Sequence, residues 1–320
     1  METREIFRCP ACRGRLAAGE GALRCGCGRS WEVREGIPCF SGHDEFYEGR
    51  FAAPVEDGVA RRQGLARTLK ALRDRLASNT VKHRFTRDFL NRFDPAATLV
   101  LDVGCGGGSE LLAPFRTVGI DLSLEGLAGA GGIYEAVAAA DALALPFADD
   151  TFDVIHSWDF FGHIPFDAKE AVLAEWKRVL KPGGSMLHIV EAHCTAPFYR
   201  LVRRDAELFQ RYFIELDGHY GLELPSQTEA RFRAAGFTVE RSWTFFRAGI
   251  FPPEEYAKRL GPEYARSSPT LKAFAAFGNA CVRHARLYQA ASLATGALAR
   301  ALNPLLPREW GSTVFLVLGN

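Results

Sequence analysis

The stretch Leu99-Val100-Leu101-Asp102-Val103-Gly104-Cys105-Gly106-Gly107-Gly108 constrains this chain more than any other. Its apolar half reads as a buried strand, and the glycines behind it permit a tight turn, positive φ angles and close approach of backbone to a ligand, with amide N–H groups aimed at that ligand. A strand feeding such a turn and then a helix opens an α/β unit, so a parallel sheet covered by helices is expected. The remainder of the chain fits that pattern. Apolar runs predict strands over 98–103, 117–121, 135–140, 152–157, 185–191, 237–246 and 313–318. A helix over 168–180 presents Val172, Leu173, Trp176, Val179 and Leu180 on one face, with Asp167 and Glu170 spaced as a capping box and Lys181-Pro182-Gly183-Gly184 as its stop. A second box, Ser226 with Glu229, opens a helix that ends at Gly236. Glycines 126, 129, 131 and 132 weaken the helix expected after the second strand, which leaves the register of the third strand open.

Cysteine spacing divides the chain. Five of the 8 cysteines (Cys9, Cys12, Cys25, Cys27 and Cys39) lie in the first 39 residues. A module that short cannot fold on an apolar core alone, and reducing surroundings disfavour disulfides, so a metal is the available staple. Zinc held by Cys9, Cys12, Cys25 and Cys27 on two knuckles is expected, with Cys39 the alternative fourth ligand because the second pair is Cys-x-Cys. The boundaries that follow are a ribbon-like module over 1–43, a linker and helical lead-in over 44–95, and an α/β domain over 96–320 with insertions at 193–227 and 247–311. The second insertion, rich in alanine, arginine and aromatics, is expected to form a helical cap. Thirty-nine basic against 38 acidic residues leave a net charge of +1, so no whole-chain field draws the protein to nucleic acid or anionic lipid. One stretch is locally basic: Arg61 to Arg92, with Arg67, Lys70, Arg73, Arg75, Lys82, Arg84 and Arg87. The charged start, Met1-Glu2-Thr3-Arg4-Glu5, lacks a signal-peptide core, and a cytoplasmic location is expected. Arginines interrupt the C-terminal apolar third before it reaches the roughly 18 residues that a membrane span needs.

The acids along the strands suggest the ligand. Asp102 ends the first strand, where a pyrophosphate would be repelled and a cation welcomed; Asp121 ends the second, 19 positions on, placed to accept from ribose hydroxyls. Asp141-Ala142-Leu143 supplies an acceptor for an exocyclic amine beside apolar flanks. With Asp150-Thr151-Phe152-Asp153-Val154-Ile155 and Arg178-Val179-Leu180-Lys181-Pro182-Gly183-Gly184, the set over 98–192 resembles the class I S-adenosylmethionine-dependent methyltransferases, particularly those of quinone biosynthesis. The resemblance implies a Rossmann-like, doubly wound sheet of seven strands and S-adenosyl-L-methionine as cofactor. It carries cofactor contacts to Asp102, Gly104, Cys105, Gly106, Gly108, Asp121, Leu122, Asp141, Ala142, Leu143 and Ser157. Cys105 itself reads as a small apolar filler of the turn. Cys9-Pro10-Ala11-Cys12, Leu23 to Arg29 and Gly36-Ile37-Pro38 are similar to the zinc ribbon of methyltransferase-activating proteins of the Trm112 type and of guanine methyltransferases acting on ribosomal RNA.

Methyl transfer from a sulfonium needs alignment more than activation, yet a hydroxyl acceptor must lose a proton. His163, Glu191 and His193 lie at the carboxyl ends of strands four and five and are the candidate bases, while His219 and Tyr220, between Gly218 and Gly221, form a candidate substrate loop. The expected reaction is methylation of O, N or C on a small-molecule, sugar or lipid-linked acceptor. Two other readings stand beside it: an RNA base methyltransferase gripping phosphates through ribbon and lead-in helix, and a cofactor-binding interaction protein without turnover. Peripheral membrane contact through the apolar, arginine-bearing cap is a further expectation.

Overall fold

The computed structural model describes residues 5–42, 46–48 and 80–320. Most of the predicted lead-in, including Arg67, Lys70, Arg73 and Arg75, lies outside the described residues.

At the N-terminal end, β1 (Leu16–Gly19), β2 (Ala22–Cys25), β3 (Ser30–Arg34) and β4 (Ile37–Pro38) form a small antiparallel meander. Helix α1 (Val81–Leu90) leads into β5 (Leu99–Val103), followed by β6 (Arg116–Asp121), α2 (Leu124–Ala130), β7 (Ala136–Ala139), β8 (Phe152–Trp158), α3 (Lys169–Val179) and β9 (Leu180–Glu191). The first insertion folds as α4 (Pro197–Val202), α5 (Ala206–Phe209) and a π-helical turn, Gln210–Glu215, before α6 (Pro225–Ala234) and β10 (Thr238–Phe245). The second supplies the expected helical cap: α7 (Pro253–Arg259), α8 (Pro262–Ser267), α9 (Pro269–Arg283) and α10 (Ala285–Leu302), then β11 (Thr313–Gly319).

The large sheet has seven strands in the order β10-β11-β9-β8-β5-β6-β7. Strands β9, β8, β5, β6 and β7 are parallel, and β11 runs antiparallel to both its neighbours. Strand order reverses on either side of β5, and it is there that an open α/β sheet leaves a crevice outside its carboxyl ends. Both faces are covered, so apolar residues fill both parities: Val314, Leu316 and Leu318 of β11 join one cluster, Phe315 and Val317 the other.

Helix ends departed from the predicted caps. The residue before α3 is Ala168, with no side-chain cap from Asp167. Helix α6 starts after Leu224, whose N–H donates to the Gln227 side chain at 3.0 Å, whereas Glu229 accepts from Arg233 at 2.9 Å. Local spacing names a cap only when no tertiary partner competes for the acid. Helix α2 forms despite its glycines. The Ser123 hydroxyl accepts from Gly126 N–H at 3.0 Å, and the Glu48 carboxylate accepts from the Leu124 and Glu125 amides at 2.8 and 3.1 Å. Gly126 is also pressed onto the cofactor-type turn, since a Cβ there would lie 3.0 Å from the Gly106 carbonyl carbon.

The small sheet docks on the β7 edge. Phe40 N–H donates to Ala139 O at 2.7 Å, and Arg8 N–H donates to Pro146 O at 2.8 Å. Phe7 and Phe40 sit 5.6 Å apart, Phe7 lies 5.7 Å from Phe147, and all three belong to the same buried cluster as Leu101 and Trp176. The ribbon's apolar side is therefore part of the main core.

One buried group makes the core sensitive to acid. His188 of β9 is wedged among Phe161, Trp176 and Phe232, at ring distances of 5.2, 5.7 and 4.8 Å, and neither ring nitrogen has a hydrogen-bond partner. Burial, with Lys169 nearby, drops its pKa to about 3. The folded value lies below the unfolded one, so the neutral ring's contribution is complete above an unfolded pKa of about 6.5 and declines as pH falls, by up to about 1.4 kcal/mol per unit. Denaturant unfolding at a series of pH values below neutrality should show this slope, and His188→Leu should flatten it.

Candidate functional site

The crevice at the carboxyl ends of β5, β6 and β8 is a cavity of about 470 Å³. Its floor is the turn after β5. Gly104, Gly106 and Gly108 take φ values of 70°, 48° and 84°, the left-handed region that glycine enters freely. Space is as decisive as φ: a Cβ on Gly104 would lie 2.4 Å from the Phe160 ring. The turn's amides, however, face the protein. Gly104 and Cys105 N–H both donate to Ile120 O, Gly106 N–H to Asp121 Oδ2 at 2.8 Å and Gly108 N–H to Cys105 O. The expectation that these amides aim at a ligand is corrected: what they do is fasten the loop to β6, leaving the bare glycine backbone as contact surface.

Three acids surround that surface. Asp102 is almost fully buried and doubly held, accepting from His156 Nδ1 at 2.7 Å and from the Tyr134 hydroxyl at 2.6 Å. The Tyr134 hydroxyl in turn accepts from Ser109 N–H at 2.7 Å. Asp121 accepts from Gly106 and Ser123 amides, one on each oxygen, which leaves lone pairs on both for a diol. Burial pushes its pKa up. Asp141 stands at the rim, its Oδ1 accepting from Leu143 N–H at 2.9 Å.

The predicted cofactor residues Asp102, Gly104, Cys105, Gly106, Gly108, Asp121, Leu122, Asp141 and Ala142 all line this cavity. Leu143 and Ser157 do not: Leu143 turns outward beyond the Asp141 turn, and the Ser157 side chain is sealed inside the sheet. Cys105 is buried with its thiol pKa raised well above the usual range, so it fills space as expected.

The other half of the cavity holds His163, Glu191 and His219, as predicted. His163 Nδ1 lies 3.2 Å from Gly218 O, a bond that requires the proton on Nδ1. His219 lies with its ring 5.0 Å from that of His163 and its Nε2 3.9 Å from Glu191 Oε2. Burial outweighs Glu191 and lowers the His219 pKa. His193 and Tyr220 fall outside. After Glu191 the chain leaves the sheet, His193 N–H donating to Glu223 O, while Gly218 in left-handed backbone turns His219 inward and its neighbour Tyr220 to solvent.

Several lining residues carried no sequence signal of their own. Lys82, from the basic stretch, points inward and pairs with Asp159 and, at 3.8 Å, with Glu191. Burial alone would raise Glu191, but the Lys82 ammonium holds it below the ordinary carboxylate range. Asp217 pairs with Lys258 and Arg259, each at 2.8 Å, and Tyr47 sets its ring edge-on to His163 at 5.8 Å. In the lining, seven carboxylates (Asp102, Asp121, Asp141, Asp159, Glu191, Asp217 and Glu255) face three cations (Lys82, Lys258 and Arg259). Such a lining favours a positively charged ligand and opposes a nucleotide pyrophosphate.

A second chamber of about 220 Å³ adjoins the first, sharing Lys82, Glu191, Glu255 and Arg259 with it. Six of its other ten lining residues are aromatic, Phe198, Tyr199, Phe213, Phe246, Phe251 and Tyr256, and the rest are Pro252, Glu254, Ser312 and Thr313.

In the small sheet, Cys9, Cys12, Cys25 and Cys27 bring their Sγ atoms within 4.8 Å of one another. Four thiolates around a tetrahedral zinc sit about 3.8 Å apart, so this set fits such an ion. The shorter second knuckle closes with Gly28 at φ 87°, and Cys39 takes another role, its thiol directed to Ile37 O beside the β7 edge.

Residues 101–188 match the family model of a methyltransferase domain. That stretch of the chain carries a methyltransferase domain. Among curated relatives, it is 39% identical over 106 residues to a putative methyltransferase of Encephalitozoon cuniculi, covering 32% of this chain and 49% of that protein. It is 35% identical over 126 residues to phosphoethanolamine N-methyltransferase 1 of Triticum aestivum, covering 35% and 24%. It is 29% identical over 198 residues to the probable methyltransferase ltbC of Aspergillus luteorubrus, covering 51% and 67%. These matches thus span between a quarter and two thirds of the relatives' own lengths.

The turn itself can be tested. Gly104→Ala meets both a left-handed φ and the Phe160 ring, so it should cost more than the roughly 1–2 kcal/mol of the backbone term alone. Gly183→Ala, at φ 75° with nothing within 4 Å, should show only that backbone term. Denaturant unfolding of the two variants checks the ordering.

Proposed function

We propose that this protein binds S-adenosyl-L-methionine over the glycine turn and methylates a nucleophilic atom of a small amphipathic acceptor. The observation that carries this reading is a single cavity in which an acid-rich cofactor half meets a His163–Glu191–His219 cluster. The cofactor, when bound, supplies an electrophilic methyl group on a sulfonium. Asp121 would hold the ribose hydroxyls, Asp141 and Ala142 the adenine side, and the Asp102 carboxylate, fixed by His156 and Tyr134, would offset the positive charge. His219 is neutral near pH 7 by virtue of its burial, so it can take the acceptor's proton, and Glu191 beside it stabilises the imidazolium that results. His163, oriented by Gly218 O, is the second proton acceptor in reach.

The chamber walls narrow the acceptor class. Charged residues at the shared partition suit a polar reacting head, and six aromatic side chains beyond it suit an apolar body, which favours a lipid-linked or hydrophobic small molecule over a bare sugar. RNA methylation draws less support, because Lys82 of the basic stretch is spent inside the cavity and not on a phosphate-facing surface.

We assign the four cysteines to a structural zinc ion. The ribbon brackets the Asp141 segment through its bonds to Ala139 and Pro146, so it supports the cofactor half as well as its own fold.

In calorimetry, wild-type protein should bind S-adenosylhomocysteine, Asp121→Ala should lose at least about tenfold in affinity with two charge-assisted bonds removed, and Glu191→Gln should keep binding while losing turnover. Wild-type affinity in Asp121→Ala would refute the pocket assignment. Chelation should release close to one zinc per chain and lower both the melting temperature and cofactor affinity; a metal-free preparation with unchanged melting would remove the zinc assignment.

A further inference from the structure

The cap bears a charge pattern unlike the rest of the chain. Residues 264–308 contain no Asp or Glu, although acids make up 38 of the 320 residues, and they contain Arg266, Lys272, Arg283, Arg286, Arg300 and Arg308. Helix α10 buries Ala291, Ser292, Gly296 and Ala299 against the molecule. Its opposite face exposes Leu287, Ala290, Ala294, Leu298 and Ala301, at the spacing of one helical stripe, and the line is extended by Leu305, which is 79% exposed. At the junction with α9, Val282 is 57% exposed, and Arg283 and Arg286 beside it are exposed as well. No helix among the described residues is long and apolar enough to cross a membrane.

An exposed aliphatic stripe flanked by cations needs a partner that is apolar below and anionic above. A second copy of the same face would bring like charges together. A single-stranded nucleic acid would call for a row of stacking aromatics, and the stripe is aliphatic. We propose that α10 and its junction with α9 form a docking face for an anionic lipid surface, with Leu287, Leu298 and Leu305 entering the headgroup boundary and Arg283 and Arg286 meeting the lipid charges. Helix α9 stacks Phe274 on Tyr256 of the aromatic chamber at 5.0 Å, so the face lies one helix layer from the site. This face owes its character to surface chemistry and does not depend on the reaction proposed for the cavity.

Co-sedimentation of the full chain with phosphatidylcholine vesicles, with and without phosphatidylserine, tests it. Wild-type protein should partition onto the anionic vesicles at low salt and release as salt screens the charges. Arg283→Gln and Arg286→Gln should each weaken that partitioning roughly fivefold, the effect of about 1 kcal/mol per basic residue. Leu287→Asp with Leu298→Asp should abolish it while S-adenosylhomocysteine binding and the melting temperature stay at wild-type values, which separates loss of docking from loss of fold. Equal binding to neutral and anionic vesicles, no effect of the leucine pair, or no binding at low salt would each overturn the proposal. So would size-exclusion chromatography showing a dimer that the leucine pair dissolves, or binding of oligonucleotide RNA in place of vesicles.

Discussion

The turn after β5 is tied down from three sides, and the crevice takes its shape from those ties. Ile120 O receives two of its amides, Asp121 receives a third, and Tyr134 holds the next residue while also gripping Asp102. Two of the acids that give the cavity its sign, Asp102 and Asp121, are therefore also groups that position the loop. Asp102 illustrates the logic: a buried carboxylate is costly unless paired, and hydrogen bonds from His156 and Tyr134 satisfy it. A carboxylate held in this way is a fixed negative pole, which a flexible surface acid cannot be.

Much of this was legible in the sequence. All seven strands lay where apolar runs placed them, because a sheet covered on both faces writes its strands as short continuous apolar segments. Even so, β9 begins at Leu180, since Phe152 of β8 pairs with Leu180 before the bulge at Val154 and draws the Lys181–Gly184 turn into the strand. The residues lining the glycine-turn half of the cavity followed from strand ends, where an open α/β sheet leaves its crevice. Leu143 and Ser157 were misplaced for a different reason: both lie next to true lining residues, and a shift of one position in a strand or turn reverses the direction of the side chain. Tyr220 failed in the same way beside His219, whereas His193 shares the parity of Glu191 and was lost because the chain leaves the sheet after that residue.

The acceptor half was less readable because its groups come from far apart in the chain. Lys82, Asp159, Glu191 and Arg259 meet only after α1 and the cap have packed over the sheet. Lys82 looked like one cation in a basic run, and nothing local separates it from its neighbours. The left-handed backbone of Asp159, φ 55°, turns that carboxylate towards Lys82, a conformation that no propensity scale would assign to an aspartate after a strand.

The two edges of the large sheet are protected by different means, and the difference explains why a ribbon belongs on this fold. Strand β10 guards its own edge with Glu240, Arg241 and a bulge after Val239, and Arg92 of the lead-in pairs with Glu240 at 3.2 Å. Strand β7 has no such device, being only Ala136-Val137-Ala138-Ala139. An edge without charge or bulge invites another strand, and the ribbon answers by pairing Cys39 and Phe40 against Ala139. Because the chain passes from Ala139 directly into Asp141 and Ala142, whatever holds the ribbon together also holds one wall of the cavity. The ribbon's four thiols thus bear on that wall indirectly, through the backbone bonds to Ala139 and Pro146 and the packing of Phe7 and Phe40, and among its described residues no ribbon side chain lines the cavity.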